Sequence, residues 1–269
     1  GEALRDHVVR PVLFMTYSGR MHWRTKTGDE VSAQLGALET KDITQQAWRT
    51  ALDPKGEWIQ SVLSAADRRL TEVRRHVPDA GGLVIATDHA DAKAYAEQLQ
   101  KITGEYPVVI LSDDREASAK IDEFREGMQR WMVAVRMVSE GVDVPRLAVG
   151  VYATSTSTPL FFAQAIGRFV RSRMPGESAS VFLPSVPVLL RLAEEMEVSR
   201  DHVLEWWALG LALLQPSLHN LCSAPHLGNE GAGPMFSGPT LGPGLQVTCA
   251  PLWVVNRVQA GPSCGGCFI

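Results

Sequence analysis

The sequence predicts an α/β fold: a mostly parallel sheet flanked by helices, preceded by an N-terminal hairpin and helical connector and followed by an irregular C-terminal tail. Three observations carry that expectation. Short apolar runs alternate with amphipathic stretches from about residue 79, each run is apolar enough to be buried on both faces, and the alternation stops near residue 203. The chain therefore divides into residues 1–78 (connector), 79–203 (α/β domain) and 204–269 (tail).

Residues 10–25 alternate as a hairpin does, with 12–17 as one arm, Ser18 and Gly19 as the turn and 20–25 as the other arm. Between Glu57 and Val77, the residues Ile59, Val62, Leu63, Ala66, Leu70 and Val73 recur at helical spacing, leaving Arg68, Arg69, Arg74 and Arg75 for other faces. After a Pro-Asp-Ala-Gly-Gly break at 78–82, strands are expected at 83–86, 108–111, 132–135, 147–152 and 180–183. The first helix places Ala92, Tyr95, Ala96, Leu99 and Ile102 on one face, with Asp88 as its N-cap. Further helices fit 117–126, 158–171 and 186–197. An acidic run at 113–116 reads as a turn and helix start.

The tail differs in kind. Among residues 205–269 only Glu205, Glu230 and Arg257 are charged, and Cys222, Cys249, Cys264 and Cys267 are all the cysteines of the chain. Such a composition rarely builds a core, so the tail is expected to be disordered. Cys264 and Cys267 resemble half of a zinc site, but His219 and His226 lack the usual spacing, and no metal site is assigned.

Composition bounds the function. The 269 residues are 45% hydrophobic and 21% charged with a formal net charge of −4, so any attraction to nucleic acid must be local rather than general. No apolar run reaches the roughly 18 residues of a membrane span. A cytoplasmic protein without membrane partners is expected. Residue 1 is Gly and no signal peptide follows it, so the start reads as a cut within a longer chain.

Two motifs carry chemistry. Gln164, Arg168 and Arg171 stand at i, i+4 and i+7, which on one helix puts them on a common face, while Phe162, Ile166 and Phe169 repeat that spacing on the opposite face. Two fixed guanidiniums suit the spreading charge of a transferring γ-phosphoryl group. A solvated helix face would look the same. The second motif is an apolar strand at 132–135 running into a Glu-Gly-Val-Asp-Val-Pro loop at 140–145. Here Gly141 supplies a turn, Asp143 can accept from a ribose hydroxyl, and amides near 136–139 could hold a phosphate. An ordinary loop is the alternative.

Taken together, in this order and with a strand between them, the motifs resemble those of the helicase C-terminal domain of superfamily 2, the DEAD/DEAH-box type. Residues 82–88 are similar to its motif IV, 121–127 to the helix before motif V, 133–145 to motif V and 164–171 to motif VI. The strand and helix order is also RecA-like. The wording at 139–145 and 164–168 looks more like the restriction-enzyme and repair-helicase branch, which favours DNA over RNA.

The resemblance implies an ATP-dependent helicase or translocase. Arg168 and Arg171 would serve as catalytic arginine fingers, and Gly141, Asp143 and Gln164 would contact ATP. Thr87, Asp88 and Arg136 would lie along the nucleic-acid backbone. Asp88 fits worst, since it repels phosphate, and Val135 stands where many relatives carry Thr. ATP and Mg2+ would be held mainly by a first RecA-like half that is the partner of this one. No G-x-x-x-x-G-K-[ST] loop and no DEAD or DEAH quartet occurs in the chain, so by itself it is not expected to hydrolyse ATP. The alternative is a non-catalytic RecA-like module that binds nucleic acid or protein.

Overall fold

A computed structural model describes residues 9–25, 28–37, 40–135, 143–174, 176–201 and 245–248. The elements are β1 (Val12–Arg24), β2 (Glu30–Gln34), α1 (Lys41–Ala51), α2 (Glu57–Arg74), β3 (Gly81–Ala86), α3 (His89–Thr103) and β4 (Val108–Ile110). After these come α4 (Ala117–Glu126), β5 (Trp131–Val135), β6 (Leu147–Ala153), α5 (Pro159–Gly167), β7 (Ala179–Pro184), α6 (Pro187–Asp201) and β8 (Leu245–Thr248). The strands form one sheet in the order β2-β1-β7-β6-β3-β5-β4, with β8 paired to β1. Every pairing from β1 through β4 is parallel, and only β2 and β8 run antiparallel to β1.

The expected α/β architecture is therefore present: a mostly parallel sheet with flanking helices in the RecA-like manner. Each residue of β3, β5, β6 and β7 is buried, as their unbroken apolar runs require when both faces are covered. Helix α2 packs on β3, β6 and β7 through Ile59, Val62, Leu63, Ala66 and Leu70. Helix α3 lies beside it, capped by Asp88, whose carboxylate accepts from the Asp91 amide at 2.9 Å. Phe162 of α5 stacks on Phe14 of β1 at 6.1 Å and leans on Tyr152 of β6 at 5.5 Å. The acidic run behaves as a helix start, with the Asp114 carboxylate accepting from the Glu116 amide and from Lys120.

The structure differs from expectation in three places. The hairpin does not turn at Ser18 and Gly19: β1 runs straight through them, because Gly19 faces Leu245 of β8 and its carbonyl accepts from the Leu35 amide. The reversal comes at 25–29, where Gly28 adopts φ 94°, a conformation that disfavours other residues. Helix α1 was not expected. The third difference is the helix placed at 158–171, which ends at Gly167.

The compositional boundary at 78 does not interrupt the sheet, since Val12 to Tyr17 of β1 pair with Ala179 to Pro184 of β7. Of the tail, only β8 is described; Cys264, Cys267, His219 and His226 lie outside the described residues. No helix among the described residues is long and apolar enough to cross a membrane.

Candidate active site

Helix α5 ends at Gly167 in a tight last turn, where the Arg168 and Phe169 amides donate to the Ala165 and Ile166 carbonyls. Beyond that end the Arg10 guanidinium donates to the Phe169 carbonyl at 2.9 Å, and the Arg10 amide donates to Val170 at 2.6 Å. Val9 then bridges Arg171 in antiparallel fashion. Arg168 is thus the C-cap of α5 and Arg171 lies on extended backbone beyond it. The common helical face expected for Gln164, Arg168 and Arg171 does not exist.

Both arginines nonetheless lie near one carboxylate. Arg171 Nη1 donates to Asp143 Oδ2 at 2.5 Å, and Arg168 feels both the attraction of Asp143 and the repulsion of Arg171, while burial lowers its pKa from the ordinary guanidinium value. The Arg171 and Asp143 side chains remain 60% and 41% exposed, so the ion pair is worth about 0–1 kcal/mol and is readily exchanged for another anion. Gln164 is exposed one turn earlier on α5.

Packing fixes where this cluster stands. Phe169, between the two arginines, is 0% exposed and its ring presses on Gly150 of β6, where a Cβ would come within 2.5 Å of it. Asp143 leads into a corner pinned by Arg146, a buried guanidinium that stacks at 4.1 Å on Phe124 and donates to the carbonyls of Phe124, Asp79 and Gln129. Burial lowers the Arg146 pKa to about 10, which leaves it charged at neutral pH. On the far side of the loop, Arg173 pairs with Asp79 at 2.5 Å and its amide donates to Glu177.

The candidate residues fall into two groups. Asp143, Arg168 and Arg171 sit at the N-terminal ends of β3 and β6, beside Asp79 and Leu147. Thr87 and Asp88 follow the C-terminal end of β3, where the Thr87 hydroxyl donates to Ala153 at the end of β6. The length of a seven-residue strand, about 20 Å, separates the groups. By residue 143 the chain is at the edge of the sheet opposite to the one where β5 ends. Arg136 and Gly141 lie outside the described residues. No group of three or more His, Cys, Asp or Glu that could hold a metal ion occurs among the described residues.

Sequence reasoning missed Arg10, Gly150, Arg173 and Glu177. Arg10 carries no local pattern, because its partners lie some 140 to 170 positions away, at Leu147, Phe169 and Glu177.

Comparison with known proteins bears on the same stretch. Residues 70–173 match the helicase conserved C-terminal domain. That match includes all eight candidate residues and bears out the resemblance drawn from the motifs. The chain is also 64% identical over 203 residues to the uncharacterized protein Rv2917 of Mycobacterium tuberculosis and 61% identical over 203 residues to the uncharacterized protein ML1624 of Mycobacterium leprae. In both cases 76% of this chain is covered. The chain spans about a third, 34%, of the length of these relatives. Among solved structures it is similar to a fragment assigned as the HsdR subunit of a type I restriction enzyme from Vibrio vulnificus YJ016. That likeness has a TM-score of 0.49 and 14% identity, over 71% of this chain and 35% of the other.

Proposed function

We propose that this chain forms the second RecA-like half of an ATP-dependent helicase or translocase, acting on nucleic acid and by preference on DNA. The observation that carries the reading is the pairing of Arg171 with Asp143 at one exposed edge of the sheet, with Arg168 near enough to feel both charges. A phosphate arriving there, held by a first RecA-like half, would displace the weak Asp143 pairing and take Arg171 as a charge-assisted donor. Arg168 would add a second positive charge. Asp143, once released, can accept from a ribose hydroxyl, and Gln164 and Gly141 would complete the nucleotide contacts. ATP and its Mg2+ would rest mainly on the first half, which would supply the metal's charge.

Nucleic acid would run along the other edge, past Thr87, Asp88 and Arg136. Contacts to sugars and phosphates expect no base specificity. Asp88 is already engaged in capping α3, which supports a positioning part for it rather than a phosphate contact.

The test is ATP hydrolysis by the chain joined to an ATP-holding first half, with and without single-stranded DNA. Arg171→Ala is expected to lower kcat by about 10³-fold or more, or roughly 4 kcal/mol of transition-state stabilisation, with the fold intact. Unchanged turnover would sink the arginine role. A folded assembly that binds DNA but never hydrolyses ATP would favour the non-catalytic module, a reading supported by the lack of a phosphate-cradling Gly-Lys loop in this chain.

A further inference from the structure

The loop between α5 and β7 holds both proposed arginine fingers, and among its described residues there is no helix or named strand to fix them. Its backbone is held by a residue near the other end of the chain. Arg10 is 4% exposed and uses its whole guanidinium inside the protein: Nε donates to the Phe169 carbonyl, Nη2 to the Leu147 carbonyl and Nη1 to Glu177 at 3.1 Å. Its amide donates to Val170, and the next carbonyl, Pro11, accepts from Ala179. Glu177, itself buried, accepts from the Arg173 amide on the far side of the same loop.

Arg10 thus ties the start of β6, the residue between the two fingers and the end of the arginine loop to one rigid planar group. A lysine in its place keeps the charge beside Glu177 but cannot reach all three acceptors in that fork geometry. Resting on the reading that Arg168 and Arg171 act on ATP, we propose that Arg10 is the positioning residue of the arginine loop, and that Glu177 is its anchoring anion. Arg10, just before β1, consequently sets the placement of the fingers from a different part of the chain.

Two measurements on Arg10→Lys test this. Hydrogen exchange of the chain by itself is expected to show amides 168–173 exchanging about tenfold faster, with β3 and β5 unchanged. Unaltered exchange in the loop overturns the proposal whatever the activity of the chain. In the assembly with an ATP-holding half, kcat is expected to fall about 10²-fold while KM for ATP stays within about twofold. Combined with Arg171→Ala, the substitution is expected to add little further loss, and full additivity of the two would overturn the proposal. If Arg10→Lys loosens β3 and β5 as well, Glu177→Gln, which leaves Arg10 in place, is measured instead, with the same expected direction and the same overturning result. An assembly that hydrolyses no ATP in its unsubstituted form defeats the helicase reading, and the exchange measurement still decides the positioning.

Discussion

Gly150→Ala should displace the arginine loop from beneath. A Cβ at Gly150 would stand 2.5 Å from Cζ and 2.9 Å from both Cε atoms of Phe169, whereas carbon atoms in contact prefer about 3.5–4.0 Å. The ring must therefore retreat by roughly 1 Å, and being fully buried it has no solvent to move into. Its backbone, fixed at the carbonyl by Arg10, takes up the shift between Arg168 and Arg171. Overpacking of this kind costs about 1–3 kcal/mol. For a domain of this size each kcal/mol lowers the melting temperature by about 2–4 °C, so a fall of about 2–12 °C is expected in a calorimetric or circular-dichroism melt. Phe169→Leu in the Gly150→Ala background should recover much of the loss, since the shorter side chain vacates the space the methyl needs. A variant that melts within about a degree of the parent, or a double variant whose losses simply add, would refute the clash.

Other expectations follow from the buried arginines and their anions. Arg146→Met removes the donor shared by three carbonyls and leaves them buried without it, so urea unfolding should show a loss of about 3 kcal/mol or more. A loss below about 1 kcal/mol would show that the corner before β6 holds without it. The hydrogen bond from Arg173 holds the Asp79 carboxyl below its usual range, although burial opposes this. A carboxyl with a lowered folded pKa contributes stability above its unfolded value near 4, and that stability is lost as pH falls through the folded value. Asp79→Asn should therefore melt below the parent at pH 7, with the gap closing in acid; a gap independent of pH would assign the effect to packing.

The parallel strands were legible because burial on both faces leaves uninterrupted apolar runs, and the 83–86 and 132–135 expectations fall inside β3 and β5. Helix α4 was read to the residue, and Asp88 caps α3 as its position before an amphipathic stretch suggested. What escaped depends on partners distant in sequence. Ser18 and Gly19 carry a turn signal, but pairing with β8 and the bond to Leu35 hold them extended. The spacing of Phe162, Ile166 and Phe169 does report a buried face, since all three are buried, yet it could not reveal that the helix ends at Gly167, with Arg10 holding the Phe169 and Val170 carbonyls beyond it. The common face of Gln164, Arg168 and Arg171 was thus expected from a helical geometry the chain does not adopt, and Asp143, paired with Arg171, is the charge both arginines feel instead.

The place of β1 has a consequence for how the molecule is made. This strand is synthesised well before its parallel partner β7, which begins only at Ala179, so the chain between them must emerge before residues 12–17 can pair with it. Until then its apolar residues Val12 and Phe14 stand beside an unfilled strand edge, the condition in which nascent chains recruit wrong partners. Closing such a distant pairing is entropically slow. The docking of β1 also carries Arg10 into the sheet, so the arginine loop is set no earlier than that docking, and a chain halted before it would have β3, β5 and β6 but not its fingers in place.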